Sequence, residues 1–257
     1  MAKKISIPDS LKEMKEPWKP LKVKLSKALI LADCHVPFHS KRNLEIAINY
    51  GLAQKCRDVV LLGDFLDSYA ISHFERDIEL RDFSKEIRLA KEIIAILSSS
   101  FQGSKIYIEG NHCARFGKFL VKQAPELLNL EELSFKNLLG LEDWLFVDKK
   151  RPIKSKDFFL LHGDQISASG RNKAQGIYNK TKSNCIIGHY HKTSQYSETG
   201  MDGKEVTCYS LGCLSQLNPL YNPCHNQYNS GFAILDNITG KEEILSNYRI
   251  EKGRILI

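Results

Sequence analysis

The sequence of 257 residues predicts an α/β protein built on two β-sheets. In the first half, apolar runs alternate with helical stretches in the order 27–32, 43–54, 58–62, 83–97 and 105–109. Alternation of this kind is typical of a parallel sheet with right-handed crossovers. From Asp157 onward the apolar runs are mostly short, with one helical stretch among them, and they predict a second, largely antiparallel sheet packed on the first.

The N-terminal segment 1–26 is predicted to be a basic, weakly ordered arm, with regular structure beginning near Lys27. Pro17 and Pro20 disfavour a helix through it. Its lysines either keep the segment soluble or steer a nucleic acid toward the protein. Residues 27–257 are predicted to form one domain, because a chain of this length with 42% hydrophobic residues buries a core of ordinary size.

The remaining elements follow from their apolar patterns. In the helix at 83–97, the residues Ile87, Ala90, Ile94 and Leu97 fall on one face. The segment 113–150 is predicted to be helical, with an interruption at Pro125, and to cover one face or the rim of a site. The second half is predicted to contain one helix at 170–181. Its strands are predicted at 158–161, 184–187, 205–211, 231–235 and 243–248.

Composition excludes several classes of protein. No apolar run approaches the ~18 residues of a membrane span, and the first residues are charged, so we expect a soluble, unexported protein. The seven cysteines include no C-x-x-C pair, which argues against a disulfide framework or a zinc finger. No P-loop or dinucleotide fingerprint is present. The net charge of +7 is compatible with a polyanionic partner.

Five short polar clusters stand where apolar runs end. They are Asp33-Cys34-His35, Gly63-Asp64-Phe65-Leu66-Asp67, Gly110-Asn111-His112, His162-Gly163-Asp164 and Gly188-His189-Tyr190-His191. In open α/β sheets, loops at strand ends converge on one crevice. The clusters supply the mixture of Asp, Asn and His ligands that divalent transition metals accept, so the sequence predicts a metal site.

In their order and spacing these clusters resemble the signature of calcineurin-like metallophosphoesterases, over roughly residues 28 to 236. The chain also resembles the small single-domain phage and prophage members, through Leu-Leu-Gly-Asp-Phe-Leu-Asp and through Glu-Gly-Asn-His-x-x-Arg followed by Ala-Pro-Glu-Leu. The resemblance implies a four-layer α/β/β/α sandwich of two mixed sheets flanked by helices. It also implies that the protein acts in the cytoplasm of a bacterium or of a phage-infected host cell. There it would associate with no membrane and need no obligatory protein partner.

The resemblance assigns roles to individual residues. It implies that Asp33, His35 and His191 bind one metal ion, that Asn111, His162 and His189 bind a second, and that Asp64 bridges them. His112 matches the histidine that contacts the phosphate and protonates the leaving oxygen. Asp67 matches a position that often supports the ligands without binding metal. Two divalent ions are implied, with Mn²⁺ expected and Fe, Zn²⁺, Ni²⁺ or Mg²⁺ as alternatives.

Substrate recognition is open at this point. Arg115, three residues after His112, is a candidate phosphate-binding residue because a guanidinium matches phosphate oxygens. The stretch 69–76 is either a base-stacking rim or a packing surface, and the loop 218–225 is either an opposite wall or self-anchoring. Cys113 stands where many members have an acidic residue that orients the histidine, so that carboxylate comes from elsewhere or is absent. Cys34, between two ligands, is a buried filler or an oxidation-sensitive thiol.

From these features we predict a two-metal phosphoester hydrolase. The net positive charge and the resemblance to phage members favour a nucleotide or nucleic-acid substrate. So does the sequence Asp67-Ser68-Tyr69, because protein phosphatases usually have Asp-Arg-Gly at this place. Both a nucleotidase and a nuclease are compatible with the ligands. A Ser/Thr-type protein phosphatase is the alternative enzyme, and a non-catalytic metal-binding scaffold is the alternative of another class.

Overall fold

The structure, a computed structural model, describes residues 19–73, 77–148, 151–219 and 225–256. Most of the predicted N-terminal arm, residues 1–18, therefore lies outside the described residues. A strand at Leu21–Lys22 precedes Lys27, where we expected regular structure to begin. It pairs in parallel with Ile153–Lys154, so the end of the arm is part of a sheet.

The described residues form thirteen strands and five α-helices. The strands are β1 (Leu21–Lys22), β2 (Lys27–Leu31), β3 (Asp58–Leu62), β4 (Lys105–Ile108), β5 (Leu145–Val147), β6 (Ile153–Lys154), β7 (Phe159–Leu161), β8 (Cys185–Ile187), β9 (Ser194–Thr199), β10 (Glu205–Ser210), β11 (Ser230–Ile238), β12 (Glu242–Glu251) and β13 (Arg254–Leu256). The helices are α1 (Lys41–Ala53), α2 (Phe83–Ser100), α3 (Arg115–Gln123), α4 (Phe135–Leu139) and α5 (Lys173–Thr181).

The first sheet has seven strands in the order β13-β12-β11-β2-β3-β4-β5. Strands β2 to β5 are parallel, which confirms the prediction for the first half of the chain. The predicted strands at 231–235 and 243–248 exist as β11 and β12, but they join this first sheet in antiparallel pairs. The segment 113–150 contains α3 and α4, as predicted, and also the unpredicted strand β5.

The second sheet has six strands in the order β1-β6-β7-β8-β10-β9. Strand β8 pairs in parallel with both β7 and β10, whereas β6–β7 and β10–β9 are antiparallel. The expectation of a largely antiparallel second sheet is therefore wrong, and both sheets are mixed. The reason is that β7, β8 and β10 are joined by long connections, including α5, and such crossovers permit parallel pairing.

Side chains alternate between the two faces of the first sheet. One face packs on α1 and α2, and the other packs on the second sheet, whose far side is covered by α5. Representative residues between the two sheets are Ala28, Ile30, Val60, Leu62, Leu160 and Ile186. The layer order is thus helix, sheet, sheet, helix, which confirms the predicted four-layer sandwich.

Polar caps define where the outer helices begin. The side chains of Ser40, Asp82 and Asn172 accept hydrogen bonds from backbone N–H groups in the first turns of α1, α2 and α5. Such caps typically stabilise a helix by about 1 kcal/mol. Among the described residues, no helix is both long and apolar enough to cross a membrane.

Candidate metal centre

The predicted polar clusters lie together, because strands from both sheets end at the same edge of the sandwich. Loops after β2, β3 and β4 come from the first sheet, and loops after β7 and β8 come from the second. Backbone hydrogen bonds join the first two loops, from Asp33 N to Gly63 O (3.2 Å) and from His35 N to Asp64 O (2.9 Å). The parallel pairing of β2 and β3 therefore continues into the site.

One group of ligand atoms comprises Asp33, His35 and His191, the residues predicted to share a metal ion. Nε2 of His191 lies 3.3 Å from Oδ1 of Asp33 and 3.2 Å from Nε2 of His35. Two imidazole nitrogens that face each other at this distance repel unless a cation or a proton lies between them. This arrangement fits a divalent metal ion.

The second group comprises Asp64, His162 and His189. Nε2 of His162 is 3.1 Å from Oδ2 of Asp64 and 3.1 Å from Oδ1 of Asn111. The same Oδ2 of Asp64 lies 3.9 Å from Nε2 of His35, which belongs to the first group. Asp64 therefore stands between the two groups, in the bridging position that the resemblance implies.

The two buried carboxylates are held by backbone groups of other loops. Oδ2 of Asp33 accepts a hydrogen bond from the backbone N–H of His189, and Oδ1 of Asp64 accepts one from the backbone N–H of His112, both at 2.8 Å. Each carboxylate thus has one oxygen fixed and one directed at the histidines. Within the part of the chain that the structure describes, Oδ1 of Asp33 is buried and accepts no hydrogen bond, as expected of an atom reserved for a cation.

Three glycines let these loops approach closely. A Cβ on Gly110 would lie 2.1 Å from Oδ1 of Asp64, and a Cβ on Gly188 would lie 2.7 Å from Oδ2 of Asp33. Gly63 also has a positive φ of 85°, and a Cβ there would lie 2.2 Å from Nδ1 of His162. The glycines that precede the ligands in the sequence motifs therefore have a direct structural reason.

The backbone of the site is strained. Non-glycine residues rarely adopt positive φ, and residues held there cost about 1 to 3 kcal/mol each. Among the predicted ligands, five do so, with φ between 44° and 67°: Asp33, His35, Asp64, His189 and His191. Strain of this kind concentrates at functional sites, where the surrounding fold enforces it.

Charge is concentrated at the ligands. Burial opposes ionisation of Asp64, but the nearby His162 and His112 outweigh it and hold the pKa of Asp64 well below its usual range. Burial likewise opposes protonation of His162, but Asp64 outweighs it and raises the pKa of His162 to about 9. The pKa of His191 is raised well above its usual value, because Asp33 outweighs burial. The carboxylates thus attract positive charge to the site.

A connected group of three polar residues lies next to the predicted ligand His35, formed by Asp67, His112 and Arg115. Oδ2 of Asp67 accepts a hydrogen bond from Nδ1 of His35 at 2.8 Å and lies 3.4 Å from Nδ1 of His112. One guanidinium nitrogen of Arg115 donates to the backbone oxygen of Asp67 (3.1 Å), and another lies 3.2 Å from Nε2 of His112. Nδ1 of His112 also lies 3.1 Å from the backbone oxygen of Asp67, so Asp67 contacts this ring through both its backbone and its carboxylate and is the candidate for orienting it.

The two thiols near the ligands are packed in the core. Cys113 is buried and its Sγ lies 3.3 Å from the hydroxyl of Tyr107. Cys34 is also buried, and burial raises the pKa of its thiol well above the usual value. Reactive cysteines are accessible and readily ionised. The filler interpretation therefore describes Cys34 better than the oxidation-sensitive one.

A cavity of about 490 Å³ opens over the site. His35, Asp64, Asp67, His112, Arg115, His189 and His191 all line it. His162 is fully buried below the cavity, whereas Asn111 is partly exposed. Tyr69 and Ser72 of the predicted stretch 69–76 line the cavity as well, together with residues that sequence reasoning did not select, which are Phe38, Ser215, Gln216, Asn226 and Tyr228. No motif marks these positions.

The two candidate recognition segments are partly described. In the stretch 69–76, Tyr69 is buried, contacts Phe38 edge to face at 5.4 Å, and accepts a hydrogen bond from Asp77 N, so its ring is a packing element. Residues 74–76 lie outside the described residues. In the loop 218–225, residues 220–224 lie outside them as well, while Pro219 lines the cavity and supports the prediction of an opposite wall.

Comparisons with known proteins give distant matches. No family model matches the chain. In sequence, the chain is 25% identical over 233 residues to Gene 54 protein of Mycobacterium phage L5, covering 80% of this chain and 87% of that protein.

Solved structures with a similar fold include a single mutant of Vps29 from Entamoeba histolytica, with a TM-score of 0.48, 16% identity, and coverage of 90% of this chain and 96% of that one. YfcE, a phosphoesterase from E. coli, has a TM-score of 0.46 and 16% identity, with coverage of 90% and 97%. The nuclease MPE of Pseudomonas putida has a TM-score of 0.41 and 15% identity, with coverage of 89% and 85%.

The two packed mixed sheets, the outer helices and the ligands gathered at the strand ends confirm the resemblance to calcineurin-like metallophosphoesterases. The fold and the site define an α/β/β/α sandwich with two groups of side chains that could hold metal ions.

Proposed function

We propose that this protein hydrolyses nucleotide or nucleic-acid phosphoesters with the help of two divalent metal ions. The observation that carries the proposal is the position of Asp64, whose Oδ2 faces a histidine of each ligand group, at 3.1 Å and 3.9 Å. A carboxylate shared between two ligand groups holds two cations close together. Pairs of ions about 3.5 to 4 Å apart are typical of phosphoester hydrolases.

The residues fit the predicted assignment. Asp33, His35 and His191 would hold one ion, and Asn111, His162 and His189 the other, with Asp64 between them. When bound, two such ions supply a nucleophile from water near neutral pH and neutralise charge on the phosphoryl oxygens. Neutral imidazoles complete the ligand sets without the negative charge that would repel a phosphate. Mn²⁺ is our first choice among the ions that accept this ligand mixture, with Fe, Zn²⁺, Ni²⁺ and Mg²⁺ as the alternatives.

His112 is the proposed general acid. Its Nδ1 faces Asp67, so Nε2 is the nitrogen that faces the cavity, beside the guanidinium of Arg115. In its contact with Arg115, Nε2 accepts a hydrogen bond, because a guanidinium only donates. Nε2 would carry the proton for the leaving oxygen once Arg115 donates to phosphate instead, a contribution of about 10² to 10⁴ in rate. Arg115 lines the same cavity and is proposed to bind phosphate oxygens.

The proposal is tested with metal-stripped protein that is reloaded with Mn²⁺. We expect phosphoester hydrolysis that Asp64→Asn abolishes, measured with a mononucleotide beside a single-stranded oligonucleotide. A parallel titration of the melting temperature reports metal binding, since an ion that binds only the folded chain stabilises it. Stabilisation by Mn²⁺ without turnover of any phosphoester would overturn the proposal in favour of the scaffold, and turnover of a phosphopeptide alone would favour a protein phosphatase.

A further inference from the structure

A second cavity of about 350 Å³ adjoins the cavity over the metal centre. Three cationic residues, Arg171, Lys173 and Lys192, line it. His189 and Tyr228 line both cavities, so the two are continuous at these residues. We name this second cavity the basic groove. Its position means that a substrate bound at the metal centre can extend into it.

The residues that line the basic groove carry positive charge and no negative charge. Its lining includes no carboxylate, and throughout the described ranges no carboxylate pairs with Arg171, Lys173 or Lys192. By contrast, the cavity at the opposite end of β3, which contains Lys24 and Arg57, also contains Asp58. Unpaired cations in a concave surface attract a polyanion.

Two of the three cations are held in place by uncharged partners. Nζ of Lys192 donates a hydrogen bond to Oε1 of Gln227 at 2.8 Å, and Nζ of Lys173 donates one to the backbone oxygen of Ala168 at 3.1 Å. Lys173 also lies 5.0 Å from the centre of the Tyr190 ring. These contacts position the ammonium groups without removing their charge, and Arg171 is exposed beside them.

Tyr228 stands at the junction of the two cavities. Its ring is 42% exposed and lies 4.5 Å, centroid to centroid, from the ring of the ligand His191. A large exposed ring fixed next to a catalytic centre is a stacking surface for a planar group. Nucleobases stack on such rings when they are not already paired in a duplex.

We propose that the basic groove binds the phosphate backbone of a single-stranded nucleic acid whose scissile phosphate lies at the metal centre, with one base stacked on Tyr228. The inference rests on the proposed phosphoester hydrolysis and narrows it to the cleavage of a strand. A strand bound at the metal centre carries further phosphates beyond the metal cavity, and the adjoining groove offers them three cations.

The binding test uses the full chain with Asp64→Asn, which prevents turnover, and a fluorescent single-stranded oligonucleotide. Adding Arg171→Ala and Lys192→Ala should weaken binding at least tenfold and lower the slope of log K against log salt by about 1.4, at ~0.7 per phosphate contact. Adding Tyr228→Ala should weaken binding by about 5- to 150-fold. Lys192 directly follows the proposed ligand His191, so its replacement can also disturb the metal centre. Arg171→Glu alone is therefore a second variant, at an exposed position.

The matched control is Lys24→Ala with Arg57→Ala, which removes one lysine and one arginine from the opposite end of the molecule. It should change affinity less than twofold. Equal losses in the control and in the groove variants would mean that only net charge matters, and would overturn the inference. Equal affinity for a duplex of the same sequence would overturn the assignment to a single strand.

A separate assay distinguishes failure of the inference from failure of the proposed function. Hydrolysis of bis(4-nitrophenyl) phosphate by the Mn²⁺-loaded wild type requires the metal cavity and no strand. For each protein we divide kcat/KM for the oligonucleotide by kcat/KM for the small diester. We expect this ratio to be at least tenfold lower in the groove variants than in the wild type. If the wild type hydrolyses the small diester and the ratio is the same in all proteins, the proposed function stands and the groove inference fails. Absence of hydrolysis of both the small diester and a mononucleotide would contradict the proposed function, while the binding test still reports on the groove.

Discussion

Oδ2 of Asp67 accepts a hydrogen bond from Nδ1 of His35 at 2.8 Å while lying 3.4 Å from Nδ1 of His112. One buried carboxylate therefore orients two rings with different proposed tasks, a metal ligand and a general acid. In both rings the contact with Nδ1 leaves Nε2 facing the site. Burial opposes ionisation of Asp67, but its hydrogen bonds with the two histidines outweigh it and lower its pKa. Asp67 is thus charged at neutral pH.

Replacing Asp67 should impair the site without unfolding the protein. We expect Asp67→Asn to lower metal affinity or activity by about 10- to 100-fold, as is typical when the partner of a metal-binding histidine is changed. The measurement is kcat/KM together with the Mn²⁺ dependence of the melting temperature. The control is Asp202→Asn in the exposed turn between β9 and β10, which should leave both unchanged. Wild-type activity in Asp67→Asn would exclude an orienting role.

The role of His112 can be separated from metal binding by the choice of leaving group. We expect His112→Ala to reduce hydrolysis of an alkyl phosphoester by about 10² to 10⁴, because the alkoxide needs a proton. A 4-nitrophenyl ester, whose leaving group is stable as an anion, should lose far less. Mn²⁺ should stabilise the variant and the wild type alike. Equal losses on both substrates would argue against a general acid at this position.

Gly110 should tolerate no side chain. A Cβ there would lie 2.1 Å from Oδ1 and 2.4 Å from the backbone nitrogen of Asp64. We therefore expect Gly110→Ala to displace the bridging carboxylate and to destabilise the fold by about 1 to 3 kcal/mol, the usual cost of overpacking. The stabilisation by Mn²⁺ should be lost, which thermal unfolding with and without metal would show.

Gly117 provides the matched control for that substitution. It lies within α3, and a Cβ on it would meet no atom within 4 Å. Gly117→Ala should raise stability by up to about 1 kcal/mol, because alanine favours a helix interior. It should leave the response to Mn²⁺ intact. If Gly117→Ala and Gly110→Ala behaved alike, close approach to Asp64 would not be the cause.

Metal binding should release protons. In the metal-free protein the pKa of His162 is raised to about 9 and that of His191 is raised well above its usual value. Both rings are therefore protonated on both nitrogens and positively charged at pH 7.5. A ligand histidine must be neutral, so the metal ion displaces these protons and metal affinity should rise with pH until about pH 9. Calorimetric titration in two buffers of different ionisation enthalpy would count at least one proton released per protein. Metal binding without proton release would contradict the proposed ligands.

Glu86 should make the stability of the metal-free protein depend on pH. This residue of α2 is buried and accepts hydrogen bonds from the backbone N–H groups of Tyr69 and Ala70, next to Asp67. Burial raises its pKa from 4.5 to about 7 despite these hydrogen bonds. Below about pH 4.5 the carboxyl is protonated in both folded and unfolded chains. As pH rises toward 7 the unfolded chain loses its proton first, so stability falls, by about 3 kcal/mol in all.

The substitution Glu86→Gln should remove this part of the pH dependence. We expect the variant to lose less stability than the wild type between pH 4.5 and 7, as measured by urea unfolding at several pH values. The comparison concerns the slope with pH, because the amide also changes the hydrogen bonds to residues 69 and 70. Parallel slopes for the two proteins would mean that the pKa of Glu86 is the same in the folded and unfolded chains.

The sequence predicted the elements whose evidence is local. The strands at 58–62 and 105–109 and the helix at 83–97 agree closely with β3, β4 and α2. Their apolar runs and helical periodicity are properties of neighbouring residues. The placement of Asp33, Asp64 and His162 at strand ends follows from the same patterns. The structure brings these residues together, which the motifs implied and the shared edge of the two sheets explains.

The sequence did not predict which distant strands pair with each other. Strand β11 pairs with β2, so that Ala233 lies opposite Ile30, although about two hundred residues separate them. A run such as 231–235 is equally apolar in either sheet, and only the packing of the whole core selects one. The short strand β5 and the two-residue strand β6 are also set by their neighbours, because segments so short have little pattern of their own.

By itself, the sequence determined which side chains are candidates for the chemistry, because aspartate, asparagine and histidine at strand ends have few other uses in such an order. Only the tertiary structure decided that Asp67 orients His112, that the ligands adopt left-handed backbone conformations, and that Arg171 and Lys192 lie beside the metal centre. The physical reason is that these features depend on contacts between loops far apart in the chain. The packed sheets enforce those contacts and outweigh the local preferences of the residues involved.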